Sequence, residues 1–398
     1  MTVLQIFNRY REFGGEENSA NRMARQLELN GIEVKRFWVD PLPVMSNLGT
    51  CKAALRMFWN RSVLAELERC SRECQPDVWL MHNLRPVISY GVYHLGAKLR
   101  VPMLQWLHNF KPISPSGTLM ANGEVLQPGG GSVVFRECLA GSWRGSRLQT
   151  SMAAAVDIGH RWKGSFDHVN RWVAVSEYMS GLFRQGNWYP DRLRWLHHCW
   201  EISMPVPSLP VLKGRLPYFV FVGRLVPEKG IEFLVGLFED EALANVELWV
   251  LGEGELKAEL EQRGINNVRF IGYVAGEEKK SIIASSLGVL FPSIWEEPLS
   301  TIAYEAYEQS VPFVTSRVGG MPEVVNHGET GWVLERGDRT QWVEVIRLLV
   351  SNRELVVSTG SKGRAWLEAN VSGSVWSDRF KELVEEARVD RDSRVINV

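Results

Sequence analysis

The stretch Tyr218–Leu234, Y-F-V-F-V-G-R-L-V-P-E-K-G-I-E-F-L, contains the repeating unit of an α/β sheet. The apolar residues up to Val222 predict a buried strand, and the apolar spacing after the second glycine predicts a helix. Gly223 can turn the chain sharply out of the strand. Arg224 and Lys229 then lie in a loop at the carboxyl edge of a parallel sheet. Open α/β sheets bind ligands at that edge, and two cations beside a helix start suit a diphosphate.

Short apolar runs alternate with longer helical patterns in both halves of the chain. Near-continuous apolar strands separated by helices predict parallel sheets that are covered on both faces. The predicted strands of the first half are V-L-Q-I-F, V-K-R-F-W-V, V-W-L-M-H, M-L-Q-W-L-H, W-V-A-V-S and L-R-W-L-H. Those of the second half are Y-F-V-F-V, V-E-L-W-V-L, V-R-F-I-G, G-V-L-F-P and P-F-V-T-S.

A proline-rich segment, Met204–Pro217, separates the two halves. It contains four prolines, which fit neither a helix interior nor a central strand, so it is the best candidate for a linker. The sequence therefore predicts two doubly wound α/β domains with a cleft between them. Their expected bounds are 1–204 and 218–375, with the linker at 205–217 and a final helix, about 376–398, packing back on the first domain.

Length, charge and cysteine content restrict the class of protein. A chain of 398 residues favours two domains, and a net charge of −1 argues against a nucleic-acid-binding protein. Residues 1–200 contain 24 Lys and Arg against 16 Asp and Glu, whereas the remainder contains 21 against 30. This difference in charge between the two halves has two interpretations. It is either a chance distribution of charges over solvated faces, or it indicates that the first half binds an anionic membrane or acceptor.

The remaining composition points to a cytoplasmic protein. Five cysteines without the spacing of a metal site fit a reducing compartment. The N-terminus has the pattern of a first strand rather than of a signal peptide, and no apolar run reaches the length of a membrane span. Cys51–Cys70, in which apolar residues are interspersed with basic ones, predicts a core-facing amphipathic helix or, less commonly, a helix that touches a membrane surface.

A second informative stretch is Trp295–Ala306, W-E-E-P-L-S-T-I-A-Y-E-A. Pro298 suits the first position of a helix, so we expect a helix from about Leu299. The N–H groups of Leu299, Ser300 and Thr301 would then have no partners within the helix and could bind an anion.

Two carboxylates in this stretch, Glu297 and Glu305, are eight positions apart. At a helical rise of 1.5 Å per residue they are separated by roughly 12 Å, comparable to the distance from the sugar to the ribose of a nucleotide sugar. One carboxylate could bind sugar hydroxyls and the other ribose hydroxyls. By spacing alone, two surface carboxylates on an acidic domain remain the better interpretation.

Taken together, these stretches resemble the signature of the group 1 glycosyltransferases, family 4 of the retaining glycosyltransferases. The resemblance extends over most of the chain and implies the GT-B fold, in which two Rossmann-like doubly wound domains face each other across a cleft. The similar segments are F-G-G-E-E-N-S-A-N, D-V-W-L-M-H-N-L-R-P, V-P-M-L-Q-W-L-H-N-F-K-P, V-A-V-S-E-Y-M, G-R-L-V-P-E-K-G, the glutamate pair with its preceding F-P-S, and V-G-G-M-P-E-V-V-N-H-G-E-T-G-W-V.

The resemblance implies that the second domain binds a nucleotide-diphosphate sugar. Arg224 and Lys229 would neutralise the leaving diphosphate, while Glu297 would contact the donor sugar and Glu305 the ribose. The remaining donor-binding positions would act largely through backbone groups on the sugar, the phosphates and the base: Gly223, Tyr273, Val274, Leu299, Ser300 and Thr301.

In the first domain the resemblance implies further contacts with both substrates. Gly14 and Gly15 would let their loop approach the diphosphate and the acceptor closely. His108 would contact the transferred sugar and belongs with Glu297, Arg224 and Lys229 to the expected catalytic set. Glu16 and His82 are candidates for acceptor binding, although His82 is equally compatible with a hydrogen-bonded histidine at a strand end.

The sequence departs from the family pattern at several places. His197-His198 stands where many relatives have an Asn-Gly turn, and Leu299-Ser300 replaces the common Phe-Gly. Tyr307-Glu308 occupies a position of small or apolar residues, and Ser310 replaces a glycine. Because the Leu299-Ser300 change borders the expected sugar site, the identity of the donor stays open.

The expected reaction is a metal-independent transfer with retention of configuration. No Asp-x-Asp motif lies in a suitable loop, so Arg224, Lys229 and a helix N-terminus are expected to do the work of a metal ion, and no cofactor is expected. The expected acceptor is a glycan or lipid-linked saccharide, and the expected location is the cytoplasm or the cytoplasmic face of a membrane. The alternatives are a non-catalytic nucleotide-sugar binder and a dinucleotide-dependent oxidoreductase, which the lack of G-x-G-x-x-G after the first strand disfavours.

Overall fold

The computed structural model describes residues 1–9, 14–40, 56–128, 132–206 and 216–396. The chain forms two compact units, Met1–Glu201 with Gly373–Val398, and Ile202–Ser372. Each unit contains a six-stranded sheet in which every adjacent pair of strands is parallel. The predicted α/β class with two doubly wound parallel sheets is confirmed.

The first sheet has the strand order β2-β1-β3-β4-β7-β8. The chain moves to one side from β1 to β2 and then to the other side from β3 onwards, so the direction of winding reverses at β1 and β3. The strands are β1 (Thr2–Asn8), β2 (Glu33–Val39), β3 (Val78–Met81), β4 (Met103–Leu107), β7 (Arg171–Ala174) and β8 (Leu193–Trp195), and a separate hairpin contains β5 (Met120–Ala121) and β6 (Glu124–Val125).

The helices of the first unit cover its sheet and follow the predicted alternation. They are α1 (Gly15–Leu29), α2 (Arg61–Cys74), α3 (Gly91–Leu99), α4 (Ser132–Ala140), α5 (Arg147–Trp162) and α6 (Glu177–Gln185). Helix α2 buries Leu64 and Leu67 and exposes Arg61, Arg69 and Arg72. The core-facing interpretation of the 51–70 segment therefore holds for α2, but the predicted continuous helix is interrupted at residues 59–60, and residues 51–55 lie outside the described part.

The second sheet has the order β11-β10-β9-β12-β13-β14, so its winding reverses between β9 and β12. The strands are β9 (Tyr218–Val222), β10 (Glu247–Leu251), β11 (Val268–Gly272), β12 (Val289–Phe291), β13 (Phe313–Ser316) and β14 (Gly331–Leu334). The helices are α7 (Ile231–Leu237), α8 (Lys257–Gln262), α9 (Gly276–Ala284), α10 (Ile302–Glu308), α11 (Met321–Val324), α12 (Arg339–Ser351) and α13 (Arg353–Val371).

The boundary of the second unit differs from the predicted linker. Residues 202–206 belong to this unit because their backbone is tied to the end of α10. Ser203 N donates to Glu308 Oε1 at 2.9 Å, and Val206 N donates to Gln309 Oε1 at 3.0 Å. Glu308, which stands where the family pattern has a small or apolar residue, thus accepts a hydrogen bond from the backbone of this segment. Residues 207–215 lie outside the described part.

The last helix, α14 (Gly373–Ile396), belongs to the first unit. The buried Trp376 donates its Nε1–H to the carbonyl of His197 at 2.8 Å. Arg388 pairs with Asp77 at 2.7 Å, and the Glu386 carboxylate accepts hydrogen bonds from strands β7 and β8. The terminal segment therefore completes the helical cover of the sheet from which the chain departed at residue 201.

Candidate functional site

Two loops meet at the reversal point of the second sheet. The segment after β9 includes a 3₁₀ turn, Pro227–Lys229, and the segment after β12 begins at Pro292. The Glu228 carbonyl accepts hydrogen bonds from the backbone N–H of Ile294 at 3.0 Å and from the hydroxyl of Ser293 at 3.1 Å. Since ligands bind open α/β sheets outside the carboxyl ends of strands at such reversal points, these loops form the candidate site of the second unit.

A lysine and a glutamate from the two loops are directly paired. Lys229 Nζ lies 2.5 Å from Glu297 Oε1, and the buried Ser293 donates its hydroxyl to the same oxygen at 2.8 Å. Lys229 Nζ also lies 5.3 Å from the ring centroids of both Phe291 and Trp295, which is within the range of cation–π attraction. The structure therefore brings together two residues that the sequence predicted as ligands of one donor.

Glycines hold the backbone of Glu297 in place. Gly319 has φ 52°, and a Cβ at that position would lie 1.9 Å from the Glu297 carbonyl oxygen, so only glycine fits there. The N–H of Gly320 donates to the same carbonyl at 2.9 Å. Glu296 accepts from the Gly319 N–H at 2.8 Å and pairs with Arg336 at 2.7 Å, so it supports the loop rather than the ligand site.

The predicted start of the helix in this stretch is wrong. Helix α10 begins at Ile302, with Thr301 as its N-cap, and Pro298 lies in the irregular segment before it. Leu299 and Ser300 are therefore not helical positions, and the N–H groups at the helix start belong to residues from 302 onwards. The separation of roughly 12 Å between the two glutamates assumed a continuous helix and does not apply.

The chain bends at Gly223 directly after β9, as predicted, but a second glycine shapes the same loop. Gly223 does not have a left-handed backbone, whereas Gly230, the N-cap of α7, has φ 68°. A Cβ on Gly230 would lie 2.0 Å from the carbonyl oxygen of Pro292, the residue at which the second loop begins. The close approach of the two loops therefore depends on Gly230.

The other predicted donor residues have separate environments. Glu305 pairs with Lys279 of α9 at 2.7 Å, and Arg224 is largely exposed and lies 3.4 Å from Glu228. Tyr273 is exposed and Val274 is partly exposed, beyond the end of β11. Leu299 is buried, and Ser300 and Thr301 are partly exposed. Among the described residues of the predicted donor set, Lys229 and Glu297 are the pair whose side chains contact each other.

The first unit contains a histidine cluster, His82, His108 and His198, at the carboxyl edge of its sheet. His82 follows β3 and His108 follows β4. His82 Nδ1 lies 2.9 Å from His108 Nε2, and the rings of His108 and His198 are stacked with their centroids 5.9 Å apart. His198 Nδ1 contacts the hydroxyl of Ser19 at 2.9 Å.

Burial keeps this cluster uncharged. It lowers the pKa of His108 to about 3, with further lowering by the positive charges of Lys111 and Arg22. Burial also lowers the pKa values of His82 and His198 well below the ordinary value of histidine. All three rings are therefore neutral at pH 7, so they can act as hydrogen-bond donors and acceptors but not as cations.

Polar side chains extend from the cluster to a small cavity of about 40 Å³, which His82, His108 and Glu16 help to line. Glu16 Oε1 accepts from Asn109 Nδ2 at 2.5 Å, and Lys111 Nζ donates to Asn83 Oδ1 at 2.9 Å. Burial lowers the pKa of Lys111 to about 8. The structure thus brings the two predicted acceptor residues and His108 together at one cavity.

Gly14 and Gly15 mark the start of α1. Gly14 is the N-cap, with extended backbone, and a Cβ on Gly15 would meet no atom within 4 Å. Neither position requires glycine for conformational reasons, so their predicted role in close approach to a ligand stays a prediction. Residues 10–13 before them lie outside the described part.

Several residues of both sites were missed by the sequence analysis. They are buried or partly buried polar side chains, or glycines, that act through contacts distant in sequence: Gln5, Ser19, Asn83, Asn109, Lys111, Lys279, Ser293 and Gly319. Gly319 and Ser293 lie inside stretches already noted for their resemblance, V-G-G-M-P and F-P-S. No signal in the sequence pointed to Gln5, a polar residue within an apolar strand.

The described ranges hold no group of three or more His, Cys, Asp and Glu side chains placed to bind a metal ion. Within the same ranges, no helix combines the length and apolar character needed to cross a membrane.

A protein family and several curated proteins match part of the chain. Residues 210–366 match the family model of the glycosyl transferases group 1. An uncharacterized glycosyltransferase of Methanocaldococcus jannaschii is 34% identical over 152 residues, which is 36% of this chain and 39% of that protein. The sulfoquinovosyl transferase of Arabidopsis thaliana is 30% identical over 153 residues, 37% of this chain and 29% of that protein. The matches therefore span less than half of these relatives.

Solved structures are similar over nearly the whole chain. A UDP complex of the Anabaena protein HepE has a TM-score of 0.65 and 16% identity, covering 97% of this chain and 100% of that one. Sucrose-phosphate synthase from Thermosynechococcus elongatus has a TM-score of 0.66 and 15% identity, covering 97% and 98%. At these identities the similarity establishes the fold.

Proposed function

We propose that the whole chain is a glycosyltransferase, because residues 210–366 match the glycosyl transferases group 1 and the chain has the GT-B fold. The proposed reaction moves a hexose-type sugar from a nucleotide-diphosphate donor, a UDP- or GDP-sugar, to a glycan or lipid-linked saccharide. Membership of family 4 and retention of the anomeric configuration are parts of this proposal. The relatives and structural neighbours named above include transferases and a UDP-binding protein, which supports it.

The observation on which the proposal mainly rests is the Lys229–Glu297 pair at the reversal point of the second sheet. A cation and a carboxylate there match the two ends of a sugar diphosphate, which offers phosphate oxygens and sugar hydroxyls. In the structure the ammonium group of Lys229 and the carboxylate of Glu297 form an ion pair with each other. A bound donor would replace this contact, with its diphosphate at Lys229 and the exposed Arg224, and its sugar hydroxyls at Glu297.

The first unit would bind the acceptor at the cavity beside the histidine cluster. Glu16, His82 and His108 line it, and Lys111 and Asn109 supply further polar groups. Because His108 is held neutral, it can share a hydrogen bond with a sugar hydroxyl without placing a positive charge beside an oxocarbenium-like transition state.

The proposed chemistry requires positioning and charge stabilisation. The acceptor hydroxyl would attack the anomeric carbon from the face on which the diphosphate leaves, and attack on this face retains the configuration. A phosphate oxygen of the leaving diphosphate would take the proton of the hydroxyl. Lys229 and Arg224 would stabilise the negative charge that develops on the leaving diphosphate. We propose that this charge stabilisation needs no metal ion.

Donor binding can be tested by thermal stabilisation with a panel of UDP- and GDP-sugars, since a ligand that binds the folded state raises its stability. We expect one donor to stabilise the protein and Arg224→Gln to weaken its binding about tenfold, because a charge-assisted contact is lost. Arg224 is largely exposed, so folding should be unaffected. Arg347→Gln, at an exposed position of α12, is the matched control.

Transfer is then measured with the selected donor and saccharide acceptors, with and without EDTA. We expect activity to be unchanged by EDTA, and loss that Mg²⁺ restores would refute the metal-independent reaction. A protein that binds the donor but neither transfers nor hydrolyses it would be a non-catalytic nucleotide-sugar binder.

A further inference from the structure

Exposed apolar side chains are concentrated on two consecutive helices of the first unit, α4 and α5. The described residues include fifteen large hydrophobic side chains that are exposed, and five of them lie on these helices. They are Phe135, Leu139, Leu148, Ile158 and Trp162. Soluble proteins rarely expose such clusters without a binding partner.

The exposed positions follow the helical period. On α5, Leu148, Ala155, Ile158 and Trp162 are spaced by seven, three and four residues, so they lie along one outward stripe, while Thr150, Ala153, Val156 and His160 are buried. On α4, Phe135 and Leu139 are four residues apart and share the outward face, whereas Val133 and Glu137 are buried. Each helix thus has a buried inner face and, in addition, an apolar stripe exposed to solvent.

The charges around these stripes are of one sign. Residues 132–163 contain five Lys and Arg and two Asp and Glu. Both acids face inward: Glu137 accepts from the hydroxyl of Ser114, and Asp157 pairs with Arg85 at 3.0 Å. Arg136, Arg144, Arg147, Arg161 and Lys163 are exposed. Of these cations, Arg136 pairs with Glu124 of the neighbouring hairpin.

These helices adjoin the candidate acceptor cavity within the same unit. Asp157 on the inner face of α5 is paired with Arg85, whose carbonyl accepts a hydrogen bond from Asn83 at 2.8 Å. Asn83 lines the cavity and binds Lys111. Helix α5 and the Asp157–Arg85 pair therefore separate the outer face of this helix from the cavity in which the acceptor is proposed to bind.

We propose that the outer faces of α4 and α5 bind the surface of an anionic lipid bilayer. Together they are called the α4–α5 face, which is defined by the five exposed hydrophobic residues with Arg136 and Arg147. Aromatic and aliphatic side chains would enter the boundary between headgroups and acyl chains, and the arginines would contact lipid phosphates. The alternative membrane-facing segment, α2, exposes polar and charged residues instead. Lipid binding is a separate property from sugar transfer, so the two proposals can fail independently.

The test is co-sedimentation of the full chain with vesicles of phosphatidylcholine alone or mixed with phosphatidylglycerol. We expect binding to the anionic vesicles only, weakened by high salt, which screens surface charges. Trp162→Ser should reduce binding at least about tenfold, and Arg147→Gln roughly fivefold, since one basic residue near such a surface contributes about 1 kcal/mol. Trp162 is 86% exposed, so its replacement should leave the fold intact.

Matched control variants distinguish binding through the α4–α5 face from general effects of changing a surface residue. Leu148→Ser should weaken binding, whereas Leu29→Ser, at an equally exposed position (65%) on α1, should not. Arg69→Gln on α2 should likewise have no effect. Absence of binding to anionic vesicles, or loss caused equally by Leu29→Ser or Arg69→Gln, would overturn the proposal. It would also be overturned if light scattering showed a dimer that Trp162→Ser converts to a monomer, because the face would then bind a second copy of the chain.

Discussion

The Nδ1 atom of His82 lies 2.9 Å from the Nε2 atom of His108, and a chain of buried hydrogen bonds determines which of them donates. Trp38 Nε1–H is only a donor and contacts Gln5 Oε1 at 3.2 Å, while the Ala20 carbonyl is only an acceptor and contacts Gln5 Nε2 at 2.8 Å. The orientation of the Gln5 amide is therefore fixed. Its nitrogen also lies 3.1 Å from His82 Nε2, which must accept. Neutral His82 then has its proton on Nδ1 and donates to His108.

The first prediction concerns the tautomers of these two histidines. In ¹⁵N-histidine NMR spectra at neutral pH, His82 and His108 should both show the Nδ1–H form, because the Nε2 atom of each accepts a hydrogen bond. Replacing the amide in Gln5→Leu removes the donor to His82 Nε2 and should produce a mixture of tautomers at His82. His94, which has other partners, serves as an internal reference. An Nε2–H form of His82 in the wild-type protein would contradict the deduced chain.

The second prediction follows from the pKa of His108, which burial lowers to about 3. In the unfolded state His108 binds a proton near pH 6.5, whereas in the folded state it stays neutral down to about pH 3. The free energy of unfolding should therefore fall as the pH drops from 6.5 towards 3. His108→Gln should reduce this slope by about 1.4 kcal/mol per pH unit within that window. Denaturant unfolding at a series of pH values measures the slope.

An opposing contribution comes from Asp157. Burial raises its pKa to about 6, so the folded state binds this proton first, and stability should rise as the pH falls from about 6 to 3.8. Because Asp157 is present in both proteins, its contribution cancels in the difference between wild type and variant. Equal slopes for the two proteins would mean that His108 is not held neutral.

The strands were predictable because strands that are buried on both faces consist almost entirely of apolar residues. All eleven predicted runs are strands, from V-L-Q-I-F in β1 to P-F-V-T-S in β13. The sixth strand of the second sheet, β14, was missed because Gly331–Leu334 is a short run that follows a polar turn. The start of α10 was misplaced because Pro298 suits a first helical turn, yet the buried segment 297–299 continues in irregular backbone.

The contacts of the candidate site were less predictable than its residues. Lys229 and Glu297 were both identified, but their direct pairing depends on the approach of two loops 68 residues apart in sequence. Ser310 shows the same limit on a local scale: its φ of 56° is a left-handed conformation, which explains why glycine is expected there. A pattern of residue types indicates which side chains are candidates for ligand binding. The three-dimensional structure shows which of these side chains contact each other.

The third prediction separates structural from ligand-binding effects of the Lys229–Glu297 pair. Lys229→Met should destabilise the protein by about 3 kcal/mol, because Glu297 is buried and would lose its cation. The double variant Lys229→Met with Glu297→Gln should recover most of this loss, since no buried charge remains, yet it should not bind the donor. Denaturant unfolding and thermal stabilisation by the donor measure the two properties. Donor binding by the double variant would remove both residues from the proposed site.

The fourth prediction concerns Gly319, which abuts the backbone of Glu297. Gly319→Ala should weaken donor binding at least about tenfold, because its Cβ would lie 1.9 Å from the Glu297 carbonyl oxygen and must displace the loop. Gly337→Ala is the matched control, since Gly337 also has a positive φ, 74°, but a Cβ there would meet no atom within 4 Å. Both variants should lose about 1 kcal/mol of stability from backbone strain, and Gly319→Ala should lose more because its Cβ also collides with the Glu297 backbone. If they weaken donor binding equally, the effect of Gly319→Ala comes from general strain and Glu297 is not the group that the glycine positions.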